Sequence, residues 1–149
     1  MEKFKSFITE AKEEDYRVVV LSVEHGDKAI TSKRIKEESD KLGLANYVIP
    51  LDGANLSYDK TYKIHEAGDE KGFDISPSDT VVFVRGTPSR DSSLDLISEL
   101  EKIGICCVNP RDTISMAADK YRTYIKLKDY GLTQPKTVLI PNQDELESA

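Results

Sequence analysis

The chain has 149 residues, and its 21 basic and 27 acidic residues give a formal charge of -6. This length is sufficient for one domain with a buried core, while the acidic balance argues against nucleic acid or an anionic membrane as the main partner. The longest apolar runs, at 18–21 and 81–84, are far shorter than the roughly 20 residues that span a bilayer. We therefore expect a cytoplasmic globular protein.

The amino-terminal segment is rich in Lys and Glu and lacks the apolar stretch of a secretory signal, so we do not expect export. Its apolar residues recur at helical spacing, which predicts an amphipathic helix over one edge or face of the domain. They are Phe4, Phe7, Ile8 and Ala11. A membrane-surface helix is the alternative, but the charge of its polar face is mixed rather than basic.

Four extended segments are predicted from residue 17 onwards. Continuous apolar, largely β-branched runs predict buried strands at 17–22, 80–85 and 105–108, and 47–51 is predicted as a further strand. We expect 17–22 to be the central strand. The neighbouring Cys106 and Cys107 lie in one of these runs, where their spacing suits neither a disulfide nor a zinc site; we expect buried, reduced thiols.

Two helices are predicted between these strands. Residues 31–42 have a Thr or Ser cap and end at Gly43, and 89–103 place apolar residues on one face before Gly104. Strands that alternate with helices indicate a parallel sheet with right-handed crossovers. We therefore predict an α/β fold, a Rossmann-like three-layer domain with a mainly parallel sheet.

Two regions depart from this alternation. Residues 52–78 are predicted to be mostly loop, with a short edge strand or hairpin at Thr61–His65. After the domain, 113–130 are predicted as one or two helices that Gly131 ends, and a new strand is predicted at Lys136–Ile140. The last residues, from 143, are typical of a first helical turn.

Ligands of open α/β sheets bind at the carboxyl ends of the strands, which here are the segments 22–27, 85–89 and 109–113. Arg85, followed by Gly86 and a helix start, suits a carboxylate or phosphate; the alternative is a solvated Arg paired with a nearby Asp. His25 and His65 are weaker candidates for acid–base chemistry. No GxGxxG fingerprint, Walker A motif, nucleophile elbow or HExxH motif is present. By elimination, we interpret the domain as supplying one half of a ligand-binding site.

A longer pattern covers residues 80–141. The string VVFVRG, a helix, and then GICCVNPRDTISMAADKYRTYIKLKDYGLTQPKTVLI resemble the junction between the pre-ATP-grasp and ATP-grasp domains of RimK-like and glutathione-synthetase-like ligases. The matching positions are Arg85, Asn109, Ile114, Ala117, Asp119, Lys120, Thr123, Leu127, Gly131, Pro135 and Thr137. The first 79 residues agree with the family only in the order of strands and helices.

The resemblance implies ATP-dependent joining of a carboxylate to an amine through an acyl phosphate, with magnesium bound to the nucleotide. It implies that Lys120 contacts ATP phosphate and, more weakly, that Arg85 binds the substrate carboxylate. The alternative is that Asp119 and Lys120 form a helix-surface pair. Asn109 and Thr123 are interpreted as structural, through capping and packing.

The resemblance also implies a division into a pre-ATP-grasp domain at 1–112 and, at 113–149, linker helices and the first elements of an ATP-grasp domain. The family's second ATP-binding Lys, glycine-rich loop and magnesium ligands lie downstream of the matching region. We therefore expect an amino-terminal fragment of a longer ligase, inactive by itself and binding neither ATP nor Mg²⁺ tightly. An amino acid or peptide is the expected substrate of the parent, and family members often form homodimers. The alternatives are a non-catalytic binding or scaffolding module and, last, a small nucleotide-binding regulator.

Overall fold

The computed structural model describes residues 16–24, 26–88 and 91–140. Two compact units divide the chain, Met1–Arg111 and Asp112–Ala149. The predicted amino-terminal helix, His25, Ser89 and the predicted last helical turn lie outside the described residues.

The elements of the described chain alternate as follows. The strands are β1 (Arg17–Ser22), β2 (Ala45–Pro50), β3 (Asn55–Asp59), β4 (Thr61–His65), β5 (Phe73–Ile75), β6 (Thr80–Arg85) and β7 (Cys106–Val108). The helices are α1 (Ile30–Lys41), α2 (Asp91–Lys102), α3 (Arg111–Ala118) and α4 (Lys120–Asp129), and a 3-10 turn at Gly26–Lys28 precedes α1.

A four-stranded parallel sheet has the order β2-β1-β6-β7. β1 pairs with strands on both sides, and Val19, Val20 and Leu21 are 0% exposed. Successive strand residues point to opposite faces, so both faces of β1 are covered. This confirms the predicted α/β class, the parallel sheet and the inner position of 17–22.

A separate antiparallel sheet has the order β3-β4-β5. The prediction of mostly loop at 52–78 therefore missed β3 and β5. The strand or hairpin predicted at Thr61–His65 is confirmed with its bounds, but this strand forms a hairpin with β3 and lies in the middle of the sheet rather than at its edge. Apolar residues alternate along all three strands and share one face, namely Leu56, Tyr58, Tyr62, Ile64, Phe73 and Ile75. Ile64 and Ile75 on this face are buried, whereas Tyr58 near its end is 67% exposed.

Helix α1 begins differently from the prediction. Its N-cap is Ala29, and no side chain caps the helix, so the expected Thr or Ser cap is wrong. Ser32 instead turns inward, because its buried hydroxyl donates to the Oγ atom of Ser22 at 2.9 Å. The helix ends before Gly43, whose φ of 72° suits glycine, as expected.

Helix α2 buries one apolar face, as its sequence predicts. Leu96, Ile97 and Leu100 are buried, and the helix packs against β7. In β7, Cys107 is buried and Cys106 is partly exposed, and both are free thiols. The expectation of reduced cysteines holds, with full burial only for Cys107.

The second unit contains α3 and α4 and then an extended segment. Gly131, with φ of 73°, follows α4 as predicted. The predicted strand at 136–140 is wrong, because no strand among the described residues pairs with it, and Val138 and Leu139 are exposed. No helix in the described part of the chain has the length and apolarity needed to cross a membrane.

Candidate functional site

The strand order of the parallel sheet reverses between β1 and β6. After β1 the chain moves outward to β2, and it then returns to the other side of β1 to form β6. Such a reversal leaves a crevice at the carboxyl ends of the two strands, where open α/β sheets bind ligands. Ser22 and Arg85 end these strands and are direct register partners.

Arg85 has an unpaired buried donor at this position. Its Nε atom is buried and has no hydrogen-bond partner, and no described carboxylate forms an ion pair with its guanidinium. Arg17, at the opposite end of the same sheet, has a hydrogen-bond acceptor and an ion-pair partner. They are the backbone O of Asp74 at 3.1 Å and the carboxylate of Asp79 at 3.8 Å. The alternative of an Arg85–Asp pair therefore has no support among the described residues.

The backbone beside Arg85 is held close to the loop after β1. The N–H of Val23 donates to the carbonyl of Arg85 at 2.9 Å. Gly86 has φ of +89°, and a Cβ atom placed on it would lie 2.8 Å from Cβ of Val23. Glycine is therefore required here both by its backbone conformation and by this contact.

A cavity of about 390 Å³ lies in the second unit, and another of about 250 Å³ lies near the carboxyl ends of β1 and β2. The smaller one is lined by Ser22, Glu24, Gly26, Ala29, Ser32, Lys33, Lys36, Val48, Ile49 and Pro50. Within it, the hydroxyl of Ser22 accepts from Ser32 and donates to the backbone O of Glu24 at 2.7 Å. These two hydroxyls are thus satisfied by the protein itself.

The charges around the smaller cavity are partly balanced. Lys36 donates to the carboxylate of Asp40 at 2.7 Å, and Glu24 brings a negative charge to the same lining. Arg85 is not a lining residue. The strongest unsatisfied donor of the region is therefore on β6, one strand away from this cavity.

Lys120 is the first residue of α4 and is exposed. The carboxylate of Asp119 caps this helix, because it accepts from the backbone N–H groups of Tyr121 and Arg122, both at 2.9 Å. Asp119 also pairs with the side chain of Arg122 at 3.4 Å. Asp119 therefore caps α4 and pairs with Arg122, whereas the alternative interpretation paired it with Lys120 on the helix surface.

Two further positions, Thr123 and Asn109, were interpreted from the sequence as structural. The hydroxyl of Thr123 donates to the carbonyls of Met116 and Asp119, at 3.0 and 2.9 Å, which ties α4 to the end of α3. Asn109 is exposed between β7 and α3. Lys120 belongs to the second unit and Arg85 to the first.

His65 has well-defined partners that sequence reasoning missed. Its Nε2 atom lies 2.7 Å from Oγ of Ser57, and its Nδ1 atom lies 2.9 Å from the backbone O of Asp69. The only signal in the sequence is the alternation of polar residues along β3 and β4, which puts both side chains on the polar face of the small sheet.

Asp69 connects this region to the parallel sheet. The hydroxyl of Tyr47 on β2 donates to its carboxylate at 2.8 Å. That hydrogen bond, with those from the backbone N–H groups of Lys71 and Gly72, lowers the pKa of Asp69. Burial and then the carboxylate of Asp69 raise the pKa of Tyr47.

Metal ligands are not assembled in the residues that the structure describes, where no group of three or more His, Cys, Asp or Glu side chains could hold an ion. Comparison with known proteins gives no assignment, since no protein-family model and no curated protein match this sequence.

Proposed function

We propose that this chain is the amino-terminal part of an ATP-dependent carboxylate–amine ligase of the RimK or glutathione-synthetase type, and that Arg85 binds the substrate carboxylate. The observation that carries the proposal is the buried, unpartnered Nε atom of Arg85 at the reversal point of the sheet. Leaving a buried donor of a charged group unpaired is costly. A carboxylate or phosphate would satisfy it and could accept two parallel hydrogen bonds from the guanidinium.

The topology is compatible with the Rossmann-like, three-layer domain that the resemblance implies. The crossover from β1 to β2 and the crossover from β6 to β7 run in opposite directions across the sheet. If both are right-handed, as such connections nearly always are, α1 and α2 cover opposite faces. The antiparallel sheet is formed by the part of the chain that connects β2 to β6.

ATP fits the residues of this chain only in part. Lys120 is exposed and could approach a phosphate with its ammonium group. The helix terminus beside it is already used, since Asp119 accepts from its backbone N–H groups and its negative charge would repel a phosphate. The described residues offer no set of magnesium ligands, so we assign none to this chain.

The second candidate is a non-catalytic binding module that uses Arg85 to hold an anionic partner. The capped helix terminus at Asp119 favours this candidate, because a helix that binds a nucleotide uses its free N-terminal N–H groups to hold phosphate. Both candidates use Arg85, and they differ in whether the protein consumes ATP.

The test uses the protein encoded by the full reading frame that contains this sequence. It is incubated with Mg-ATP, hydroxylamine and a panel of amino acids and dipeptides, because hydroxylamine replaces an unknown amine and converts an acyl phosphate to a hydroxamate. We expect hydroxamate and ADP in equal amounts with at least one carboxylate. Carboxylate binding without ADP release would support the binding module instead and would contradict a ligase.

A further inference from the structure

A serine hydroxyl and an imidazole form a pair on the polar face of the antiparallel sheet. Ser57 is exposed on β3, which is an edge strand, whereas His65 on β4 is only 8% exposed. Their Oγ and Nε2 atoms are 2.7 Å apart, which is hydrogen-bonding distance. The proposed ligase has no use for this pair.

The protonation of the His65 ring follows from its second partner. The backbone O of Asp69, 2.9 Å from Nδ1, can only accept a hydrogen bond, so Nδ1 carries a proton. In the neutral ring Nε2 is then an acceptor, and it receives the hydroxyl proton of Ser57. A serine nucleophile requires this tautomer from its base, with a third group fixing the ring.

The loop after β4 holds the imidazole in place. A Cβ atom on Gly72 would lie 2.5 Å from Cε1 of His65, so the backbone of the loop passes directly against the ring. Asp69 is fixed by the hydroxyl of Tyr47 at 2.8 Å and by the N–H of Lys71 at 2.9 Å. Catalysis needs a general base whose orientation is fixed by packing and hydrogen bonds, as it is for His65.

We propose that Ser57 is a nucleophile with His65 as its general base, and that the pair takes an acyl group from an ester or thioester. Ser57 Oγ bonds to the acyl carbon while its proton passes to Nε2. The imidazolium returns this proton to the departing alkoxide or thiolate as the bond to the leaving group breaks. Water, deprotonated by Nε2, then displaces the acyl group as a carboxylic acid, and the proton from Nε2 restores the Ser57 hydroxyl.

The position of β3 gives such a substrate access. The outer side of this strand is not paired with any other described strand, so its backbone N–H groups on that side form no ladder hydrogen bond within the described part of the chain. Backbone N–H groups are the usual donors to the oxyanion that forms during acyl transfer.

A fluorophosphonate probe tests the nucleophile in the full-length protein without any mutation. Peptide mapping by mass spectrometry compares the labelling rate of Ser57 with that of Ser78, which is also exposed but whose hydroxyl is hydrogen-bonded to the hydroxyl of Ser76, at 2.8 Å, rather than to an imidazole. General-base catalysis contributes about 100-fold or more, so we expect Ser57 to react at least about 100-fold faster. Equal rates at the two serines would overturn the proposal.

Variants then test the base. His65→Gln should slow the labelling of Ser57 by about 100-fold, whereas Ser78→Ala should leave it unchanged, with circular dichroism as the check on folding. With p-nitrophenyl acetate, the wild type should release a burst of p-nitrophenol that Ser57→Ala abolishes. The absence of a burst in the wild type would also overturn the proposal, whether or not His65→Gln folds.

Discussion

Val23 and Gly86 are in contact at the carboxyl ends of β1 and β6, where a Cβ atom on Gly86 would lie 2.8 Å from Cβ of Val23. This contact brings together the two loops that flank the reversal point of the sheet. Arg85 is the last residue of β6. The residue that follows it, Gly86, cannot carry a side chain unless Val23 moves.

The first prediction concerns this contact. Gly86→Ala should lower the free energy of unfolding by about 3 kcal/mol, because it adds a steric clash to an unfavourable φ of +89°. Gly43→Ala is the matched control, since Gly43 has φ of +72° but nothing within 4 Å of its added Cβ; it should cost about 1 kcal/mol. Urea denaturation measures both, and equal losses would show that Val23 moves aside freely.

The Ser22–Ser32 hydrogen bond should stabilise α1 against the sheet. Ser22→Ala should cost about 2 kcal/mol, because it leaves the buried hydroxyl of Ser32 without its acceptor. Ser32→Ala should cost less, since Ser22 keeps its hydrogen bond to the backbone O of Glu24. A double-mutant cycle by chemical denaturation gives the coupling, and additive losses would contradict the interaction.

The two neighbouring cysteines should differ in reactivity. Burial, followed by the charge of Glu101, raises the pKa of Cys107 to about 12, so this thiol stays protonated at neutral pH and is a poor nucleophile. Cys106 is partly exposed. Iodoacetamide at pH 8 should alkylate Cys106 in the folded protein and Cys107 only after denaturation. Faster alkylation of Cys107, read by mass spectrometry, would contradict its burial.

The stabilisation from the Tyr47–Asp69 hydrogen bond, which links the two sheets, should depend on pH. The hydrogen bond from Tyr47 holds the pKa of Asp69 below its ordinary value of 3.8. The stabilisation is therefore complete above about pH 4 and is lost as the pH falls through the lowered value. Asp69→Asn should thus be less stable than the wild type at pH 6, and the difference should shrink below pH 3.8. A difference that is independent of pH would exclude a role for the ionised carboxylate.

The parallel sheet could be predicted from the sequence because its strands are continuous apolar runs, and Arg17–Ser22 and Thr80–Arg85 were predicted with the bounds that the structure has. Of the antiparallel sheet only Thr61–His65 was predicted, because each of its strands is apolar on one face only. In β3, Leu56 and Tyr58 alternate with Asn55, Ser57 and Asp59, a pattern that is easily taken for a polar loop in a five-residue segment.

The candidate site was predicted only in part, because contacts between residues far apart in the sequence leave no local pattern. A strand that ends in Arg followed by Gly marks Arg85, but its missing partner is a property of three-dimensional packing that no local pattern contains. Ser57 and Ser32 could not be identified, because each bonds to a side chain on another element. Ser32 was predicted in a cap region, although tertiary contact with Ser22 turns it toward the sheet.

The central claim, that Arg85 binds the carboxylate of a ligase substrate, is tested most directly by steady-state kinetics of Arg85→Ala in the full-length protein. Arg34→Ala is the matched control, because Arg34 is exposed on α1. Loss of a charged hydrogen bond should raise the KM for the carboxylate by about 10- to 100-fold with little change in the KM for ATP, while Arg34→Ala behaves as the wild type. An unchanged carboxylate KM in Arg85→Ala would contradict the account.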